Sequence, residues 1–168
     1  MISQECACEI VREAFIAVCE NDTHLLVTRS NERSVTHRFA VYIEQEMPIA
    51  IEHEKYDVDC EYNRSDREPK RLLSFKRKIE SDNVDGVTVY PDIIVHKRGT
   101  AENLIVIEVK LKRSNCKQSP ACDCDRCKLR AYKKDLGYTY AFFVTFPTGD
   151  NLATFDLANL ESAIELIP

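Results

Sequence analysis

At 168 residues, with 44% hydrophobic and 30% charged side chains and only 4 Gly and 6 Pro, the chain has the composition of one globular domain able to bury a sizeable core. That excludes a collagen-like, disordered or linker-rich chain, and no apolar run approaches the roughly 18 residues of a helical membrane span. A formal net charge of -5 excludes nucleic-acid binding by bulk charge alone but leaves room for a local basic face.

Glu5, Glu9 and Glu13 stand where a secretion signal would need basic and then apolar residues, so a soluble cytoplasmic protein is expected. Its 8 cysteines are then expected to be reduced. A single domain over 1–168 is the expected organisation, without internal repeat or low-complexity tract.

Ala7, Ile10, Val11, Ala14, Phe15 and Val18 recur at helical spacing and predict an amphipathic helix over 4–20. A polar break at Asn21–Thr23 and a short apolar connector, Leu25–Val27, follow. A second helix is predicted from Asn31 to Glu46, capped by Ser30 or Asn31, buried through Val35, Phe39 and Ile43, and ended by Pro48. Alternation over Lys55–Asn63 predicts a strand. Residues 64–82 are highly charged and predict a loop with a short helix, and Asp85-Gly86 predicts a turn.

Two compact strands come next, Asp92–His96 and Leu104–Leu111, joined by a turn at Arg98-Gly99. Ser114–Cys124 is expected to be loop. A helix over Asp125–Leu136, stopped by Gly137, buries Leu129, Tyr132 and Leu136. Tyr140–Phe146 is an aromatic strand, and 157–166 is expected to close the chain as a helix. This order predicts the α/β class, with a mixed central sheet flanked by helices.

The chemistry concentrates at Pro91-Asp92 and Glu108-Val109-Lys110. Side chains alternate along a strand, so Glu108 and Lys110 share one face while Ile107, Val109 and Leu111 share the other. A carboxylate and an ammonium on so apolar a strand are costly unless partnered. Hairpin pairing would bring Asp92 beside Glu108. Two hard oxygen ligands suit Mg²⁺ or Mn²⁺, with the Val109 carbonyl a further donor. A divalent ion so held acidifies water and steadies a leaving oxygen, and Lys110 can orient that water.

Pro91-Asp92 followed by Glu108-Val109-Lys110 resembles the PD-(D/E)XK signature of restriction enzymes, Holliday-junction resolvases and RecB-like exonucleases. The resemblance spans about 31–146 and implies a restriction-endonuclease-like α-β-β-β-α-β core, with the helices over 4–20 and 157–166 as additions. It implies a metal-dependent nuclease that hydrolyses phosphodiester bonds, most naturally in DNA, and that works with Mg²⁺ or Mn²⁺. Members commonly carry a metal-proximal glutamate in the first core helix, which implies that role for Glu32. Many such cores act as homodimers.

Lys128-Leu129-Arg130-Ala131-Tyr132 resembles the Gln-Leu-x-x-Tyr element of RecB-like nucleases, with Lys128 in place of the glutamine. With Lys112 and Arg113, this helix, through Lys128, Tyr132 and Lys133, forms a candidate nucleic-acid-contacting strip. Leu129 and Tyr132 also read as core residues. Asp57, Asp59 and Glu61 alternate on one strand face and read as the wet side of an edge strand, with Arg64, Arg67 or Lys76-Arg77-Lys78 as partners.

Cys116, Cys122, Cys124 and Cys127 offer four thiols that could hold Zn²⁺, although the spacing departs from ordinary zinc knuckles. Two other functions therefore stay open. One is a non-catalytic nuclease-fold module that binds nucleic acid or a protein partner. The other is a zinc-binding interaction protein built on the cysteine cluster.

Overall fold

The computed structural model describes residues 2–47, 55–65, 68–75, 87–112, 120–158 and 160–168. In chain order the elements are α1 (Gln4–Asn21), α2 (Thr23–Val27), α3 (Glu32–Glu46), β1 (Asp57–Cys60), β2 (Arg64–Ser65), β3 (Glu68–Pro69), β4 (Arg71–Leu72), β5 (Val87–Thr88), β6 (Ile93–His96), β7 (Asn103–Lys112), α4 (Pro120–Leu136), β8 (Tyr140–Pro147), α5 (Asp150–Ala153), a 3₁₀ turn (Leu160–Ser162) and β9 (Ile164–Ile167).

Five strands form one mixed sheet in the order β1-β6-β7-β8-β9. The β6–β7 pair is an antiparallel hairpin turned over Lys97–Thr100, with Gly99 at a positive φ of 73°. β8 runs parallel to β7, and α4 makes the crossover that a parallel pair requires. The α/β class, the mixed sheet and its flanking helices are as the sequence predicts.

Two hydrophobic layers sandwich the sheet. On one face α1 and α3 bury Phe15, Val35 and Phe39 against Ile105, Ile107, Val109, Val144 and Phe146. Phe15 stacks on Phe146 with centroids 4.4 Å apart, and Phe39 meets the same ring edge-on. On the other face α4 lays Leu129 and Tyr132 over Ile94, Val106, Ala141 and Phe143. β7 is covered on both sides, which explains its run of apolar residues.

Helix ends follow local chemistry. Asn31 is the N-cap of α3, and its Oδ1 accepts from the Ser34 N–H at 2.8 Å. Replacing Asn31 by Ala is expected to cost about 1 kcal/mol in urea unfolding, because a helical N–H loses its acceptor. Gly137 takes the left-handed conformation that stops α4. α3 ends at Glu46, and Pro48 lies outside the described residues.

Three expectations are corrected. The predicted C-terminal helix over 157–166 is instead the 3₁₀ turn and β9, which pairs antiparallel with β8. Leu157, Leu160 and Ala163 mimic a helical stripe, but Ile164–Ile167 completes the open edge of β8, and tertiary pairing overrides the local pattern. α4 begins at Pro120 rather than Asp125, since a proline is tolerated in a first helical turn, where its missing N–H has no intrahelical acceptor. Within 64–82 the described residues, 64–65 and 68–75, carry the short strands β2, β3 and β4 where a loop was expected, and residues 66–67 and 76–82, like the Asp85-Gly86 turn, lie outside the described residues.

No described helix is long and apolar enough to cross a membrane.

Candidate active site

β6 starts opposite the middle of β7: Ile93 pairs with Ile107, so Asp92 falls opposite Glu108 just before the ladder begins. Two backbone links fix Asp92 there. Its carbonyl accepts from the Glu61 N–H at 3.2 Å, and its side-chain Oδ2 accepts from the Val109 N–H at 2.7 Å. The second bond ties the acid to the middle residue of the Glu108-Val109-Lys110 triplet. Within a strand a residue's N–H and C=O point to the same side, so the Val109 carbonyl also faces the Asp92 end of β6.

Glu108 is only 2% exposed, on the sheet face covered by α4. Its contacts there are long: Tyr132 Oη donates to Oε1 at 3.3 Å, and Lys128 Nζ stands 3.6 Å from Oε2. Burial pushes the Glu108 pKa up to about 8, neighbouring Asp92 adds to the rise, and Lys128 opposes it. The Asp92 pKa is also raised, chiefly by burial, with the Val109 N–H bond and Lys110 pulling the other way. Lys110 and Lys128 therefore offset only part of the cost of burying these two acids side by side.

Lys110 projects from the end of β7 between two helices. Its Nζ lies 3.4 Å from Glu32 Oε1 on α3 and 3.3 Å from Asp125 Oδ2 on α4. Burial disfavours its charge, but Asp125, Glu32, Asp92 and Glu108 outweigh that and raise its pKa. Lys110 is therefore charged in this setting. Lys128 is held in the same way, its Nζ donating to Asp125 Oδ1 at 2.6 Å.

Asp92, Glu108, Lys110 and Glu32 thus meet as the sequence predicts. Asp125, only 5% exposed, was not singled out by sequence reasoning. The readable signal was its place in the apolar stripe of α4, one turn before Leu129 and two before Tyr132, where an acid is expensive without partners.

The nucleic-acid strip is corrected in part. Tyr132 is fully buried under Glu108 and offers no ring to a base. Lys128 turns inward to Asp125 and Glu108, and Lys133 donates to the Ile167 carbonyl at 3.2 Å, tying α4 to β9. Lys112 is exposed at the end of β7, while Arg113 lies outside the described residues.

β1 is the edge strand expected, but Asp57 and Asp59 on it are partly covered and paired rather than a wet face. Asp59 does not face solvent: His96 Nε2 lies 2.9 Å from its Oδ2, and Arg98 Nε donates to the same oxygen at 2.8 Å. Its partners come from β6 and the following turn, not from Arg64, and Arg67 and Lys76–Lys78 lie outside the described residues. Glu61 leaves the strand at a positive φ of 50° and pairs with Arg33.

Asp92, Glu108 and the Val109 carbonyl are hard oxygen donors of the kind that Mg²⁺ and Mn²⁺ accept. Among the described residues no three His, Cys, Asp or Glu side chains form a ready cage, so an ion here would share its shell with water and phosphate oxygens, as Mg²⁺ sites commonly do. In donor chemistry, though not as a ready cage, the residues present suit such an ion. Of the four clustered thiols, Cys124 and Cys127 sit on α4, Cys116 lies outside the described residues, and the side chain of Cys122 is not described.

Comparison with protein-family models, with curated proteins and with solved structures found no match.

Proposed function

We propose that the chain is a metal-dependent nuclease of the PD-(D/E)XK type, acting on phosphodiester bonds in DNA. The observation that carries this reading is the bond from the Val109 N–H to Asp92, which clamps one buried acid against the Glu108-Val109-Lys110 triplet. The succession α3, β1, β6, β7, α4, β8, with the last strand parallel to β7, has the α-β-β-β-α-β order that the sequence resemblance implies. This order supports the reading without establishing membership.

Asp92, Glu108 and the Val109 carbonyl would hold Mg²⁺ or Mn²⁺. When bound, the ion supplies an acidified water and charge neutralisation at the phosphate. Lys110, fixed from both sides by Glu32 and Asp125, presents a charged ammonium at the edge of that site. Its charge favours a role in orienting the attacking water and offsetting negative charge on the phosphate rather than in accepting a proton. Glu32 positions Lys110 and stands at the mouth of the site, 41% exposed, where it can reach a water shared with the ion. Tyr132 Oη donates to Glu108 Oε1, and Lys128 Nζ faces its other oxygen, Oε2.

The test is incubation of the purified protein with supercoiled plasmid and with single-stranded DNA, with Mg²⁺ or Mn²⁺. Cleavage that starts with the ion and stops with EDTA is expected. Cleavage that persists in EDTA, or no cleavage of either substrate with either ion, would overturn the proposal.

A further inference from the structure

Asp125 and Lys128 are not needed by the minimal two-acid, one-lysine site, yet both are built into it. They stand three residues apart on α4, with Tyr132 four residues further on, so one helix face delivers all three toward Glu108. Asp125 divides its two oxygens between two ammoniums: Oδ1 takes Lys128 at 2.6 Å and Oδ2 faces Lys110 at 3.3 Å. Lys128 in turn looks both ways, toward Asp125 and, at 3.6 Å, toward Glu108 Oε2.

That arrangement alternates in sign from Glu32 through Lys110, Asp125 and Lys128 to Glu108. Resting on the metal-dependent reading above, we propose that Lys128 is the site's internal counter-ion, an ammonium that occupies the cation-facing side of Glu108 and must withdraw onto Asp125 when a divalent ion binds. The geometry permits this exchange. The Lys128 stem is flexible and its side chain is 23% exposed, so its head can move. Its contact with Glu108 is too long for a hydrogen bond, while its contact with Asp125 is short, so the latter survives the loss of the former. Asp125 is then the positioning residue that keeps Lys128 in the site after displacement, on the same carboxylate that faces Lys110.

A displaceable ammonium competes with the metal. Removing its charge should therefore tighten ion binding, whereas loss of a merely structural contact would weaken it or leave it alone. The experiment is calorimetric titration of Mn²⁺ into the full chain without nucleic acid, which reads binding and not activity. Lys128→Gln, which keeps a donor for Asp125 but no charge, is expected to lower the Mn²⁺ dissociation constant about fivefold or more, and Lys128→Arg to stay within about twofold of the unaltered protein. Should Lys128→Gln fail to fold, Lys128→Met carries the same expectation.

An unchanged or weaker Mn²⁺ affinity in the neutral variants, with binding intact in the unaltered protein, would overturn the counter-ion inference and leave the nuclease reading standing. Absence of Mn²⁺ binding in the unaltered protein would overturn both.

Discussion

Asp92→Asn and Lys110→Ala are each expected to lower divalent-dependent cleavage by about 100- to 10,000-fold while leaving a cooperatively folded protein. The two substitutions act on different parts of the same chemistry. Asparagine keeps the shape of Asp92, and its amide oxygen can still accept from the Val109 N–H, so the hairpin geometry holds. What disappears is an anionic oxygen for the cation. Lys110→Ala leaves both acids in place and removes the ammonium that Glu32 and Asp125 fix from two sides.

Mn²⁺ binding should separate the two. It weakens in Asp92→Asn and persists in Lys110→Ala, because only the first deletes a proposed ligand. Steady-state cleavage with a melting curve for each variant checks this. Full activity in either variant would show that the reacting phosphate lies elsewhere.

The parts of this fold that could be read from the sequence are those in which one pattern had one physical solution. β7 is an apolar run interrupted by Glu108 and Lys110, and only a strand covered on both faces explains the run while placing the two charges on one side. The β6–β7 hairpin followed from turn chemistry at Gly99, and α3 from a capped amphipathic stripe that begins with Glu32. The core of the candidate site was legible for the same reason, since all its members lie on these three elements.

What escaped was decided by partners distant in sequence. β9 is a strand because β8 offers it an open edge, not because Ile164–Ile167 excludes a helix. Asp59 looks like a wet acid until β6 brings His96 beside it and the next turn brings Arg98. Lys128 and Lys133 looked like a basic surface because charge-rich helices usually are one; Asp125, Glu108 and the Ile167 carbonyl turn them inward. For these charged residues, the charge pattern along the chain was ambiguous between solvent and a buried partner.

Lys70 offers a large effect on stability that does not involve the candidate site. It is 2% exposed, its Nζ donates to Tyr138 Oη at 2.5 Å, and the rings of Tyr62 and Tyr138 flank it at 5.6 and 5.1 Å. Burial lowers its pKa from 10.5 to about 8, against a smaller opposing pull from Asp59. Below that folded value Lys70 is protonated in both the folded and unfolded chains, and the cost of burying its charge is present in full. Between the folded value and the unfolded one, the unfolded chain still binds the proton that the folded chain has released, so stability rises with pH. The rise amounts to about 3 kcal/mol at roughly 1.4 kcal/mol per pKa unit.

Lys70→Met should lack this slope. Cys19 and Cys60, raised by burial to about 12 and about 11, act in the opposite direction, because the folded chain keeps thiol protons that the unfolded chain loses. They are common to both proteins and cancel in the difference. Urea unfolding of the pair under reducing conditions, from about pH 7.5 to 10.5, should therefore show the unaltered protein gaining about 3 kcal/mol relative to Lys70→Met. Parallel profiles would mean that the Lys70 ammonium stays charged under the sheet across this range, with Tyr138 and the two aromatic faces offsetting the cost of its burial.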